Sequence, residues 1–182
     1  MHSFVNPLNR REAVQRLTVL LGGVLSIPLA AALRGEIINP GASVPVDDET
    51  EGLLAEVADT IIPATDTPGA KSAGAQEFIL RVMRDCYLYE DQRDFYAGLA
   101  GLNAAAKARG KDFVQLEPAG RAEVLKAYAE KNKAFFKTMR QLTVVGYFTS
   151  EIGATKALEY LPIPGRFEGD VAMKPGQKTW AL

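Results

Sequence analysis

Histidine and cysteine are almost absent from this sequence. Its 182 residues include one histidine, His2, and one cysteine, Cys86. An intrachain disulfide needs two cysteines, and structural zinc, iron–sulfur clusters and covalently attached haem need several Cys or His ligands. Nucleophilic sites that pair serine or cysteine with histidine are also excluded after residue 2, because no histidine follows His2. We therefore expect no catalytic residue, no bound cofactor and no metal on this chain.

An excess of basic residues is also missing. The chain has 21 Lys and Arg against 22 Asp and Glu, which gives a net charge of −1, so we expect no nucleic-acid partner. A dinucleotide-binding fingerprint is missing too, because Gly98 and Gly101 lie in a helical pattern and not after a strand. Paired carboxylates, for example Glu151 with Asp170, leave open an enzyme that uses acid and base groups alone. A favourable position near a helix start explains Glu151 more simply.

Charge is absent from one long stretch near the N-terminus. Adjacent arginines, Arg10 and Arg11, precede a charge-free run from Leu17 to Leu33. This order is typical of a twin-arginine export signal, and as a helix the run would span roughly 25 Å, slightly less than a bilayer core. We predict a signal segment at residues 1–35, with cleavage after Ala32 and a periplasmic destination. The alternative is an uncleaved helix that anchors a scaffold subunit in the membrane.

The predicted signal has a consequence for cofactors. The twin-arginine route exports folded proteins, typically ones that must first acquire a cofactor. Since this chain offers so few cofactor ligands, we expect the cofactor on a partner that is exported with it.

Helical periodicity dominates the chain after the signal. Residues 36–49 contain Pro40 and Pro45 and are predicted to be a linker. No later segment shows the sustained alternation of a strand, so residues 50–182 are predicted to form an all-α domain, a compact bundle of five to six helices with an extended Pro/Gly-rich C-terminal tail. The predicted helices are 50–62, 75–87, 90–109, 118–130 and 133–146.

Individual residues predict where these helices begin and end. Thr50 is the expected cap of the first helix, Gly110 suits the end of the third, and Pro118 suits the first turn of the fourth. Cys86 lies among apolar residues at helical spacing, so we expect a buried side chain and not a redox group.

Aromatic residues are unusually frequent in the C-terminal part for a segment so rich in proline and glycine. A solvated tail would be depleted in them. Tyr147, Phe148, Phe167 and Trp180 are therefore the candidate anchors of a partner interface, because Tyr, Trp and Phe are favoured at interface cores. The alternative is that these residues pack into the domain's own core.

Three segments resemble the gluconate 2-dehydrogenase subunit 3 family. They are Ala58–Ala70, the G-Y-F-T-S-E block within Leu142–Glu151, and the P-G-R-F-E-G block within Tyr160–Gly169, in the order of the family. Family members often have cysteine after the last of these glycines. Here the residue is Asp170, so no thiol function is carried over.

The resemblance implies a small, non-catalytic subunit of a periplasmic dehydrogenase complex. In such complexes the large subunit is a flavoprotein of the glucose-methanol-choline type, which binds FAD and oxidises gluconate, other sugars or glycosides. A c-type cytochrome subunit often passes the electrons on to the inner membrane. The large subunit commonly lacks an export signal, so the small subunit would carry Arg10 and Arg11 to the twin-arginine translocase for both, as hitchhiker export.

Overall fold

The computed structural model describes residues 43–161, 165, 172 and 175–181. Five α-helices form most of this part: α1 Asp48–Ile61, α2 Ala75–Cys86, α3 Tyr89–Lys107, α4 Pro118–Lys131 and α5 Lys133–Phe148. A 3-10 turn, Phe113–Gln115, joins α3 to α4, and a π-helical turn, Gly153–Ala157, follows α5. Two strands of two residues each, β1 Glu159–Tyr160 and β2 Trp180–Ala181, pair in parallel.

The all-α prediction is confirmed for the described residues. Among the described helices α3 is the longest, with 19 residues, and α5 has 16. The predicted signal helix, the first half of the linker (residues 36–42) and part of the predicted tail lie outside the described residues. Within the described part of the tail, residues 180–181 return to pair with β1.

Helix α1 begins earlier than predicted and has a different cap. The carboxylate of Asp47 accepts a hydrogen bond of 2.8 Å from the backbone N–H of Thr50, which makes Asp47 the N-cap and places Thr50 inside the helix. An aspartate three residues ahead of that N–H satisfies a donor that the helix itself leaves unpaired. This hydrogen bond lowers the pKa of the Asp47 carboxyl below its ordinary value.

A buried glutamine attaches the segment before α1 to the bundle. The backbone N–H of Val44 donates to Oε1 of Gln92 at 2.9 Å, and Nε2 of Gln92 donates to the carbonyl of Tyr87 at 2.9 Å. Gln92 is only 1% exposed, so both ends of its amide are satisfied inside the protein. The last residues of the predicted linker therefore contact the domain.

The core receives apolar side chains from all five helices, and Cys86 is buried among them as predicted. Helices α2 and α5 approach closely because residue 146 is glycine. A Cβ atom on Gly146 would lie 2.9 Å from Cδ1 of Phe78, which is shorter than a normal carbon–carbon contact. The Phe78 ring thus packs directly on the α5 backbone.

A charged network joins α1 to the loop that follows it and to α4. Glu56 accepts a hydrogen bond of 2.6 Å from Nζ of Lys71 and a second from the guanidinium of Arg121. The same guanidinium donates to the carbonyl oxygens of Leu116 at 2.9 Å and Val114 at 2.8 Å. The side chains of Glu56 and Arg121 are less than one-fifth exposed, so this network fixes how the three segments meet.

Candidate functional site

The loop after α1 and the C-terminal end of α5 meet at Tyr147. Its hydroxyl donates a hydrogen bond of 2.9 Å to the carbonyl oxygen of Pro68 and lies 3.4 Å from Oγ1 of Thr67. The side chain is buried, with 2% of its surface exposed. Two of the three segments singled out in the sequence are therefore one unit in the fold.

A tight turn follows α5 and fixes the direction of the chain. The hydroxyl of Ser150 donates to the carbonyl of Tyr147 at 2.6 Å and accepts from the N–H of Gly153 at 3.0 Å. A Cβ atom on Gly153 would lie 1.9 Å from the Tyr147 carbonyl oxygen, so only glycine fits there. The turn leaves Phe148 at the surface, 40% exposed, with its ring edge-on to the Tyr147 ring at 5.1 Å.

The two short strands add further apolar side chains beyond this turn. Trp180 is in register with Glu159, and the N–H of Glu159 donates to the carbonyl of Thr179 at 2.9 Å. Trp180 is 46% exposed and Tyr160 is 51% exposed. We call the exposed group at this end of the molecule the apolar end; it consists of Phe148, Tyr160, Leu161 and Trp180. Large apolar side chains that stay exposed are typical of docking surfaces where they form a patch.

Charged groups connect the described part of the tail to the body of the domain. The ammonium group of Lys178 donates a hydrogen bond to the carbonyl of Lys156 in the π-helical turn. The hydroxyl of Thr65 donates to Asp66 at 2.8 Å, and this bond, together with the nearby Lys178 charge, lowers the pKa of the Asp66 carboxyl. The described part of the tail thus contacts the turn after α5.

The four candidate interface residues have different surroundings. Tyr147 lies in the domain's own core, which is the alternative that the sequence left open, so its side chain is not available as a surface anchor in this structure. Phe148 and Trp180 are exposed, as contact with a partner requires. Phe167, like Arg10 and Arg11 of the predicted signal, lies outside the described residues.

The carboxylate pair that the sequence left open as an acid–base site is only half described. Glu151 is exposed, and Asp170, its candidate partner, lies outside the described residues. Within residues 43–161 and the described part of the tail, no group of three or more His, Cys, Asp or Glu side chains could hold a metal ion. Burial raises the pKa of Tyr96 to about 12 and also raises that of Tyr128, which keeps both phenols protonated.

No described helix combines the length and the apolar character that crossing a membrane requires. The charge-free run Leu17–Leu33 lies outside the residues to which this finding applies.

The sequence did not predict an open groove of about 560 Å³ between α4 and α5. Its lining is mainly apolar, and basic side chains border it. The apolar residues are Ala129, Phe136, Val144 and Val145, and the basic ones are Lys133, Lys137 and Arg140. A signal was present, because α5 carries apolar residues on two faces, whereas a surface helix usually has one. We call this feature the α4–α5 groove.

Comparison with known proteins identifies one family. The model of the family described as gluconate 2-dehydrogenase subunit 3 matches residues 48–165. No curated protein and no solved structure matches the chain. The matched region contains all five helices, the Tyr147–Pro68 contact and the α4–α5 groove, whereas Trp180 lies beyond it.

Proposed function

Because the chain belongs to the gluconate 2-dehydrogenase subunit 3 family, we propose that it is the non-catalytic small subunit of a periplasmic, flavin-dependent sugar dehydrogenase. Membership of a subunit family implies a complex with a catalytic dehydrogenase subunit. The proposed catalytic partner is a large flavoprotein of the glucose-methanol-choline type, which binds FAD and oxidises gluconate, another sugar or a glycoside. The small subunit supports the folding, stability and export of this partner.

The family match over residues 48–165 carries the proposal. The exposed apolar end of the same domain supports it. The hydrogen bond between Tyr147 and Pro68 holds the end of α5 in place, and Phe148 and Trp180 extend from that region with nearly half of their surfaces exposed. Burying such side chains against another protein removes apolar surface from water and favours association.

The proposal includes an export role. Arg10, Arg11 and the run Leu17–Leu33 form a twin-arginine signal that serves both subunits, so the folded complex reaches the periplasm with FAD already bound. A c-type cytochrome subunit at the inner membrane then accepts the electrons. The composition supports this division of labour, because one histidine and one cysteine provide too few ligands for covalently attached haem or an iron–sulfur cluster on this chain.

Affinity purification of the full chain, expressed in its source cells with a C-terminal tag, tests the proposal. We expect one large subunit to co-purify in a fixed ratio, with a flavin absorption spectrum and dye-linked sugar dehydrogenase activity. The isolated small chain should be colourless and inactive. Stoichiometric flavin or haem on the isolated chain, or a complex without a flavoprotein, would contradict the proposal.

A further inference from the structure

The outward side of α5 carries apolar side chains in addition to those buried in the core. Val144 lies on it with Phe136 and Val145 on either side; all three are partly buried, and Phe136 and Val145 also pack against the edge of the core. Met139 and Leu142, on the opposite face of the same helix, are fully buried. The groove next to this face continues into a neighbouring cavity of about 400 Å³, which reaches the end of α1. The surface is therefore an open depression that continues past Phe136 and Arg140, which line both cavities.

The charges around this groove are mostly of one sign. Helix α5 contains Lys133, Lys137 and Arg140 and no Asp or Glu, although the whole chain has a net charge of −1. Among the described residues that line the groove, Glu130 is the one carboxylate. No described carboxylate forms an ion pair with these three basic side chains. Their charges are thus available to a partner, and negative groups complement them best.

The groove is continuous with the apolar end. Phe148 follows Val144 by four residues and Val145 by three, so the three side chains lie on one face of the helix. From Lys133 to Phe148 this face is about 24 Å long at 1.5 Å per residue. Three to four turns of a second helix fit along such a length, which is the usual extent of helix-in-groove recognition.

We propose that the α4–α5 groove binds an amphipathic helix of the catalytic subunit, with an apolar stripe on the groove floor and Asp or Glu side chains against Lys133, Lys137 and Arg140. This inference rests on the proposed function, since it names the part of the small subunit that holds the large one. It places the centre of the interface on α5, with Phe148 at one end.

Charge reversal tests the basic border. In the full-length complex, the double variant Lys137→Glu/Arg140→Glu should bind the large subunit at least tenfold more weakly than the wild type. The matched control is Arg93→Glu/Lys111→Glu, which reverses two exposed cations on α3 and the loop after it, and which should bind like the wild type. Raising the salt concentration from about 0.05 M to about 0.5 M should weaken the wild-type complex and have much less effect on the reversed one.

Two further measurements separate docking from folding. Val144→Asn places a polar group on the groove floor and should weaken binding while the isolated subunit still melts cooperatively near the wild-type temperature. Acetylation of lysines in the native complex should proceed more slowly at Lys133 and Lys137 than in the free chain, with Lys111 reacting equally in both. The acetylation experiment needs no variant and so does not depend on the folding of one.

The outcomes distinguish the groove from the function as a whole. If a flavoprotein co-purifies and the charge reversal leaves its affinity unchanged, the groove inference is wrong and the proposed function stands. If no flavoprotein co-purifies with the wild type, the proposed function is wrong. If the isolated chain forms a dimer that the charge reversal abolishes, the groove binds a second copy and the inference is wrong. If Lys133 and Lys137 are equally protected in the free chain, and this protection is lost on removing residues 1–42, the groove binds the chain's own N-terminal segment and the inference is also wrong.

Discussion

The hydroxyl of Tyr147 lies 2.9 Å from the carbonyl oxygen of Pro68, a residue 79 positions earlier in the chain. This bond closes the end of the bundle at which the loop after α1 meets the end of α5. The two aromatic residues at the end of α5 therefore have different roles. Tyr147 faces inward and binds the loop, whereas Phe148 faces outward. The inward residue stabilises the position from which the outward one can contact a partner.

Replacing Tyr147 by Phe removes this hydrogen bond and keeps the ring. We expect a loss of about 1 kcal/mol in the free energy of unfolding, the net value of one hydrogen bond, and a melting temperature about 3 °C lower. Thermal unfolding followed by circular dichroism measures this. Tyr160→Phe, a change at a tyrosine that is 51% exposed, should leave the melting temperature unchanged. An equal loss in both variants would show that the bond to Pro68 has no special role.

Glycine-to-alanine variants test the close contact between α2 and α5. At Gly146 the new methyl group would lie 2.9 Å from the Phe78 ring, so we expect Gly146→Ala to destabilise the domain by about 1–3 kcal/mol. At Gly52, inside α1, a methyl group meets nothing within 4 Å, so Gly52→Ala should stabilise the domain by about 0.5–1 kcal/mol. Urea denaturation of both variants measures the two free energies, and effects of the same sign would contradict the packing described here.

The helix cap at Asp47 predicts a dependence of stability on acid. The hydrogen bond from Thr50 lowers the pKa of Asp47 below its ordinary value of 3.8. A lowered pKa in the folded state means that this stabilisation is present above the ordinary value and is lost as the pH falls through the folded value. Asp47→Ser keeps a capping oxygen without a titrating group. We therefore expect the melting temperature of this variant to match that of the wild type near neutral pH. On acidification from about pH 4 to about pH 2, it should fall less than that of the wild type.

The five helices could be predicted from the sequence, because each carries its own apolar periodicity and its own end signals. Pro118 begins α4 as predicted, and α2 begins at Ala75 as predicted. The cap of α1 was predicted at Thr50 and lies at Asp47, and both are residue types that cap helices. The choice between neighbouring candidates depends on backbone geometry that composition does not contain.

Contacts between distant residues could not be predicted in this way. Gln92 binds Val44 across 48 positions and Arg121 binds Glu56 across 65, and each of these side chains in isolation resembles any exposed polar residue. The α4–α5 groove was missed for a related reason. The sequence does not say how wide a face of α5 the neighbouring helices cover.

The export proposal predicts the fate of both subunits together. Replacing Arg10 and Arg11 by Lys keeps the charge and removes the planar guanidinium groups with their five donors. If the large subunit borrows this signal, dehydrogenase activity and both polypeptides should be retained in the cytoplasm, as measured in separated cell fractions. A single Arg16→Lys change, outside the adjacent pair, is the control and should permit export. Normal periplasmic activity in the double variant would exclude a shared twin-arginine signal.

The C-terminal end of the tail is expected to contribute to partner binding but not to the folding of the helices. Residues 175–181 contact β1 and the π-helical turn, and the side chain of Trp180 is 46% exposed and outside the core. Deleting the chain from Lys174 onward should therefore leave a helical, cooperatively melting subunit. We expect this subunit to bind the catalytic partner at least thirtyfold more weakly, since an aromatic anchor contributes about 2 kcal/mol or more.

Single substitutions assign that loss to one side chain. Trp180→Ala should reproduce most of the effect of the deletion, whereas Tyr89→Ala, at an aromatic residue of equal exposure at the start of α3, should bind like the wild type. Affinity is measured by titrating the purified large subunit, and the melting temperature of each variant is measured alongside. Unchanged binding after the deletion would show that Trp180 is not an anchor. The contact would then belong to Phe148 and the outward face of α5, because these are the exposed apolar residues that adjoin the groove and that the deletion leaves in place.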